Sequence, residues 1–423
     1  MHASHKSLPP HAPRRIAIVV SHPIQHFVHL YRGLAADPAI ELKVFFASSL
    51  GLKPYFDQDM GVEIQWQTDL LGGYVSEFLP GADNIRSVGL RATDNPGVAA
   101  ALAAFDPAVV QIHGYAQLTL LRALLWCRWR GVPVLLWSDS SLLFERPGWK
   151  LTLKRWLLPV LLRQIAAVLT TGDNNADYYR YYGVPPRRLF RCPFTVDQTL
   201  LNAARDHRPS VRATLRAQYG IAEDTFVALF VGKLVAWKRP QDLLAALAML
   251  RSSRPEARGV TAFFAGDGAL MADLRATASA GNVPAVFAGF VNVDQLPGVY
   301  ALADALVFPS SREPYGLAAR EAIGVGLPLI VSDQIGCIGL TDAARPQQNA
   351  LVYPAGEVPA LCAALGRLLE DAGFHAQLSA SSLAVAADID LGCSVRGFLA
   401  AVSAVVPAPS PADRRSPTRG AAG

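Results

Sequence analysis

Residues 303–333 read ADALVFPSSREPYGLAAREAIGVGLPLIVSD. The run ALVF is short, apolar on both faces and stopped by Pro309, which is the pattern of a strand covered on two sides. A polar loop follows from Ser310 to Gly316. A short helix is predicted from Leu317, with Gly324 and Gly326 ending it, and LPLIV then returns as a second buried strand. Strand, helix and strand packed so closely make a βαβ unit, whose two strands run parallel.

The same alternation recurs outward in both directions. Short apolar runs (RIAIVVS, ELKVFFA, AVVQIHG, VPVLLWS, FVALFVG, VTAFFAG, PAVFAGF) are separated by amphipathic stretches such as Phe27 to Ala36, Leu118 to Arg130 and Pro240 to Arg251. The class is α/β, with parallel sheets covered by helices. A turn-rich bridge, Tyr182 to Pro193, and a polar stretch from Asn202 to Arg216 precede a fresh strand and helix series. The length of 423 residues suits two Rossmann-like domains facing across a cleft. The expected division is a tail over 1–13, a first domain over 14–200, a second over 201–390, a C-terminal helix over 391–406 placed to cross back to the first domain, and a tail over 407–423. Both tails are rich in Pro, Ala, Ser and Arg without periodicity, so they have too little to bury.

Composition narrows the function classes. Hydrophobic residues at 51% and charged residues at 17% close large cores and exclude a disordered chain. Mean hydropathy is +0.24, yet no apolar stretch of about 18 residues appears; Trp156 to Thr171 comes nearest and is cut by Arg163. The N-terminus lacks the apolar segment of a signal peptide, so a cytoplasmic protein is expected. Five scattered cysteines form no C-x-x-C pair and read as free thiols. The net charge of +5 favours anionic partners, but no nucleic-acid-binding signature accompanies it.

In such folds ligands sit beyond the carboxyl ends of strands. There, Lys233 and Lys238 follow the strand FVALFVG, and two cations converging on one place suit a diphosphate; ordinary surface lysines are the alternative. The Gly316 and Leu317 amides open the short helix and form an anion pocket without any side chain. Glu313 and Glu321 stand before and within that helix, where carboxylates would accept sugar hydroxyls; acidic residues favoured at a helix start are the plainer reading.

SREPYGLAAREA with GLPLIVSD resembles the E-x7-E signature of retaining GT-B glycosyltransferases of the family 4, glycosyl transferase group 1, type. FVGKLVAWKRP, FFAGDGALMADLRATA, VFAGFVNVDQL and NALVYPAGEVPAL match in order, and SHPIQHFVHLYRGLA with VVQIHGYAQ resembles the first half of bacterial members. The resemblance implies a UDP- or GDP-sugar donor in the second domain and a saccharide or lipid-linked acceptor at the first. Polysaccharide or glycoconjugate biosynthesis is the implied setting, with neither metal nor cofactor. Glu313, His113 and Lys238 would be catalytic. Lys233, Lys238, Gly316 and Leu317 would hold the diphosphate, Glu313 the sugar, Glu321 the ribose, and the main chain near Val291 the base. Gln25 and His26 would face the acceptor. Three departures stand out: Lys233 where arginine is usual, Arg239 where glycine is frequent, and no glycine pair in the first loop.

His113 ends the strand AVVQI and could orient a hydroxyl; a strand-end histidine bonded to backbone is the alternative. His22, His26 and His29 cluster without an acidic or cysteine partner to complete a metal site. A basic, tryptophan-bearing helix is predicted over 148–163, either packed in the first domain or resting on the inner membrane face. The tyrosines at 178, 179, 181 and 182 read as packing. Two other functions compete: a non-catalytic nucleotide-sugar-binding subunit, and a nicotinamide-dependent oxidoreductase, for which VVSHPIQHF lacks the glycine fingerprint.

Overall fold

The computed structural model describes residues 13–52, 55–57, 62–64, 69–144, 148–253 and 259–406. Both expected tails lie outside these, apart from Pro13. Two parallel sheets organise the chain. The strands of the first half are β1 (Arg14–Val20), β2 (Ile40–Phe46), β3 (Tyr55–Asp57), β4 (Val62–Ile64), β5 (Val75–Phe78), β6 (Val109–His113), β7 (Val134–Trp137), β8 (Ala167–Thr170) and β9 (Leu189–Arg191). Those of the second are β10 (Phe226–Val231), β11 (Val260–Ala265), β12 (Ala285–Gly289), β13 (Ala305–Phe308), β14 (Leu329–Ser332) and β15 (Ala350–Tyr353). The first sheet runs β5-β2-β1-β6-β7-β8-β9 and the second β12-β11-β10-β13-β14-β15, while β3 and β4 form a separate antiparallel pair.

The helices covering the first sheet are α1 (Gln25–Ala35), α2 (Val98–Phe105), α3 (Leu118–Arg130), α4 (Trp149–Leu162) and α5 (Asp173–Tyr181). After them come α6 (Gln198–Asp206), α7 (Arg208–Gln218), α8 (Pro240–Ser253), α9 (Met271–Ala280), α10 (Leu296–Leu302), α11 (Leu317–Gly324), α12 (Val358–Glu370), α13 (Ala372–Asp388) and α14 (Leu391–Val405). Strands such as β10, β11 and β13 are buried on both faces, which explains their unbroken apolar sequence. α6 and α7 pack on α10 and α11, whereas α14 lies against α1, β8 and β9. Arg216 of α7 is buried and donates to Asp304 beside β13 at 2.8 Å.

Each sheet reverses its strand order once, beside β1 in the first half and beside β10 in the second. Strand ends at such a reversal splay apart and leave a crevice. The segments after β1 and β7 face those after β10 and β13 across the cleft. Phe194 bridges the halves, with its ring 4.8 Å from Trp137 and 4.6 Å from Tyr315. Asp173 adds a polar seam, its carboxylate accepting from the Thr341 amide at 2.8 Å and the Thr341 hydroxyl at 2.6 Å.

Candidate active site

Lys238 and Glu313 come from the loops after β10 and β13, the two strands at the second reversal. The Lys238 ammonium contacts the Glu313 carboxylate and lies 5.2 Å from the Phe308 ring centre. Both side chains are mostly shielded. The turn bearing Lys238 is tied to the other loop by the Ser311 amide, which donates to the Trp237 carbonyl at 2.8 Å. Arg239 takes a left-handed backbone at φ 52°, which explains why glycine suits that position, and its guanidinium pairs with Asp242 at 2.6 Å.

The FAGDG sequence after β11 serves this loop. A Cβ on Gly266 would lie 1.9 Å from the Gly232 carbonyl oxygen. The Leu234 amide donates to the Asp267 carbonyl at 2.8 Å, so the segment carrying Lys233 is stitched to its neighbour by backbone alone. Glycine here is a packing requirement rather than a dinucleotide fingerprint.

Gly316 precedes α11 with φ 112°, hemmed in by Phe308, Ile335 and Cys337. Such a backbone and such crowding admit little besides glycine. The first amides of α11 have no carbonyl one turn back, and no side chain caps the helix. Inside the helix, Glu321 accepts from the buried Tyr300 hydroxyl at 2.7 Å. Burial pushes the Glu321 carboxyl up to about 7, against the opposing pull of that bond.

Glu321 and Leu317 line a cavity of about 280 Å³ between the halves, opposite Gln25, His26, His29 and Arg32 of α1. The Gln25 side-chain oxygen is buried with no hydrogen-bond partner among the described residues. His29 stands 3.9 Å from Asp197. Val291 instead lines an adjoining recess of about 590 Å³ with Leu215, Tyr219 and Val299, and Asp294 borders both spaces.

His113 is not among the residues lining the first cavity. It sits in an aromatic box with Phe27 at 4.2 Å and Trp137 at 5.3 Å, and its Nε2 shares a 3.0 Å hydrogen bond with Tyr31. Its Nδ1 is buried without a partner among the described residues. Burial, then the nearby His26, lowers its pKa to about 3; burial and His22 hold His26 at about 3 as well. Both rings are neutral through the physiological range. Among the described residues, no group of three His, Cys, Asp or Glu side chains is gathered closely enough to hold an ion.

Sequence reasoning missed Tyr31 and Tyr300, the partners of His113 and Glu321. Tyr300 stands in α10, and nothing local says that its hydroxyl reaches a carboxylate on the next helix. The Lys238–Glu313 pairing was equally hidden by a separation of 75 residues.

A cationic loop, an uncapped helix start and two carboxylates at one sheet reversal can hold a phosphorylated, hydroxyl-bearing ligand. Comparison with known proteins decides the family. The family model described as glycosyl transferases group 1 matches residues 211–382, and the glycosyl transferase 4-like domain matches 25–195. The chain belongs to the group 1 glycosyltransferases of GT-B fold. Relatives of this family include a D-inositol 3-phosphate glycosyltransferase of Salinispora arenicola (strain CNS-205), 28% identical over 58% of this chain and 56% of that one. An alpha-D-kanosaminyltransferase of Streptomyces kanamyceticus is 26% identical over 63% and 62%. The chain thus spans about half the length of the curated relatives it matches. Among solved structures, Anabaena Alr3699/HepE in complex with UDP superposes with a TM-score of 0.70 at 17% identity, covering 92% of this chain and 99% of that one. WaaG, a glycosyltransferase involved in lipopolysaccharide biosynthesis, gives 0.59 at 16% identity over 93% and 100%. At such identities the likeness shows the GT-B fold alone.

Proposed function

We propose that this chain transfers a sugar from a nucleoside diphosphate sugar to a hydroxyl of a saccharide or lipid-linked acceptor, with retention of anomeric configuration and without a metal ion. The observation that carries the reading is the Lys238–Glu313 pair beside the uncapped start of α11. A diphosphate entering here draws the ammonium away from the carboxylate and meets the Gly316 and Leu317 amides, with Lys233 on the neighbouring loop. Glu313 then turns to the sugar hydroxyls and Glu321 to the ribose, while the base lies towards Val291 and Asp294. The bond between the anomeric carbon and the phosphate oxygen breaks, the acceptor oxygen bonds the same face of that carbon, and the hydroxyl proton passes to the departing phosphate oxygen. The cations and the helix tip stabilise the charge on the leaving diphosphate. His113, neutral and bonded to Tyr31, orients rather than titrates. Gln25 and His26 contact the acceptor from α1.

UDP is the favoured nucleotide, since Anabaena Alr3699/HepE is bound to it. Among the described residues no helix is long and apolar enough to cross a membrane. Peripheral contact is supported instead by α4, where Trp149, Trp156, Leu157 and Val160 are 72%, 76%, 59% and 54% exposed and no acidic residue interrupts 148–163. The test is thermal protection by a panel of UDP- and GDP-sugars, followed by transfer or hydrolysis of the donor that protects. Protection without turnover, unchanged by Glu313→Ala, would identify a non-catalytic binding subunit.

A further inference from the structure

Arg312 and Pro314 flank Glu313 in the chain, yet they line a different cavity, of about 390 Å³, whose other walls come from the first half. Asp139 and Ser140 enter it from the loop after β7, and Lys150 and Lys154 from the first turns of α4. We propose that this cavity is the seat of a phosphate or diphosphate ester on the acceptor, gripped by Lys150, Lys154 and Arg312. The inference rests on the glycosyl-transfer reading and adds the chemical class of its acceptor.

Charge comes first. Among the described residues that line it, three are cations and one is a carboxylate, in a chain that has only seven lysines (6, 43, 53, 150, 154, 233 and 238). Lys150 and Lys154 are one helical turn apart and so share a face. α4 begins at Gly148 with no side-chain cap, so its positive end adds to the same field. The cations are also positioned. The Arg312 guanidinium lies 5.5 Å from the Phe144 ring centre, and Lys154 lies 4.8 Å from that of Tyr178, whose hydroxyl bonds Tyr115 at 2.7 Å. A planar arginine fork held against a ring matches two phosphate oxygens, and the lysines act as point charges.

Asp139 does not spoil the site. It stands exposed at the rim of the cavity, where its carboxylate can accept hydrogen bonds from hydroxyls. A phosphorylated sugar needs both kinds of contact. Placement matters too: along the segment 312–314 Glu313 turns to Lys238 while its neighbours face this cavity. An acceptor anchored here has its charged group one residue from the carboxylate that handles the donor sugar.

Phosphate esters reach such a site from solution, on a sugar phosphate, or from a membrane, on a lipid diphosphate. The experiment is calorimetric titration of inorganic pyrophosphate into the full chain already saturated with UDP. Pyrophosphate is expected to bind despite UDP. That binding should weaken tenfold or more in Lys150→Gln/Lys154→Gln and in Arg312→Gln, with UDP affinity held within twofold. Lys150→Gln alone, at an exposed position, guards against misfolding and should give a smaller loss of the same sign. Displacement of pyrophosphate by glucose 1-phosphate assigns the soluble source, and displacement by farnesyl diphosphate the lipid one. The proposal is overturned if UDP abolishes pyrophosphate binding, if the variants bind as wild type does, or if neither ester displaces it. A failure of the donor reading shows separately, as absence of UDP binding.

Discussion

Lys238 and Glu313 neutralise one another until a ligand separates them, which makes the two residues opposite in effect. Glu313→Gln releases the ammonium, so UDP affinity is expected to hold or tighten, while sugar transfer is expected to fall on the order of 10²-fold if Glu313 contacts the reacting sugar as proposed. Calorimetry and initial rates on the same preparation check both halves. His113 and His26 bear on acid stability. Their folded pKa values, about 3, lie below the unfolded 6.5, so their contribution is complete above pH 6.5 and is lost as pH falls from 6.5 towards 3. His113→Gln, which keeps a hydrogen-bonding partner for Tyr31, should therefore lose less melting temperature than wild type between pH 6.5 and 4. Glu321 runs the other way. Raised to about 7, it favours the folded state below pH 4.5 and loses that advantage as pH rises through 7; Glu321→Gln should gain a few degrees on wild type between pH 5 and 8 in thermal scans. The residue types at this site were legible because strand ends concentrate chemistry. Their partners were not, since hydrogen bonds such as Tyr31 to His113 join positions 82 apart in the chain.

Among the elements, the loop after β10 depends on its neighbour more than on itself. Gly266→Ala places a methyl group against the Gly232 carbonyl and must push the Lys233 segment aside. A loss of about 2 kcal/mol or more in denaturant unfolding is expected, together with weakened UDP binding. Local sequence does not show why FAGDG needs its first glycine, because the atom that requires it belongs to the loop after β10. α4 was more readable. Its observed span, Trp149–Leu162, falls within the expected 148–163, because tryptophans, leucines and lysines repeat at helical spacing. What periodicity could not tell was that two of its tryptophans would be left uncovered while Lys150 and Lys154 turn to a cavity. Trp149→Ser/Trp156→Ser is expected to reduce sedimentation with phosphatidylglycerol vesicles at least fivefold and leave UDP binding unchanged.

Across the whole molecule, two sheets of like construction meet at their strand ends, so both domains contribute walls to the cavity lined by Gln25 and Glu321 and to the one lined by Lys150 and Arg312. The class was legible from buried runs alternating with helices, and the pairing of two domains from the chain length and the repeat of that alternation. Strand order was not, since the reversals beside β1 and β10 are set by which strands neighbour in space. Nor could sequence show Phe194 bridging Trp137 and Tyr315, or Asp173 bonding Thr341 across the seam. The measurement that bears most directly on donor binding at this cleft is calorimetric titration of UDP into the full chain and into Lys238→Ala. Saturable binding to the wild type, weakened at least tenfold in the variant, is the expected result. No association of UDP or GDP at millimolar concentration, or equal affinity in the two proteins, would contradict it.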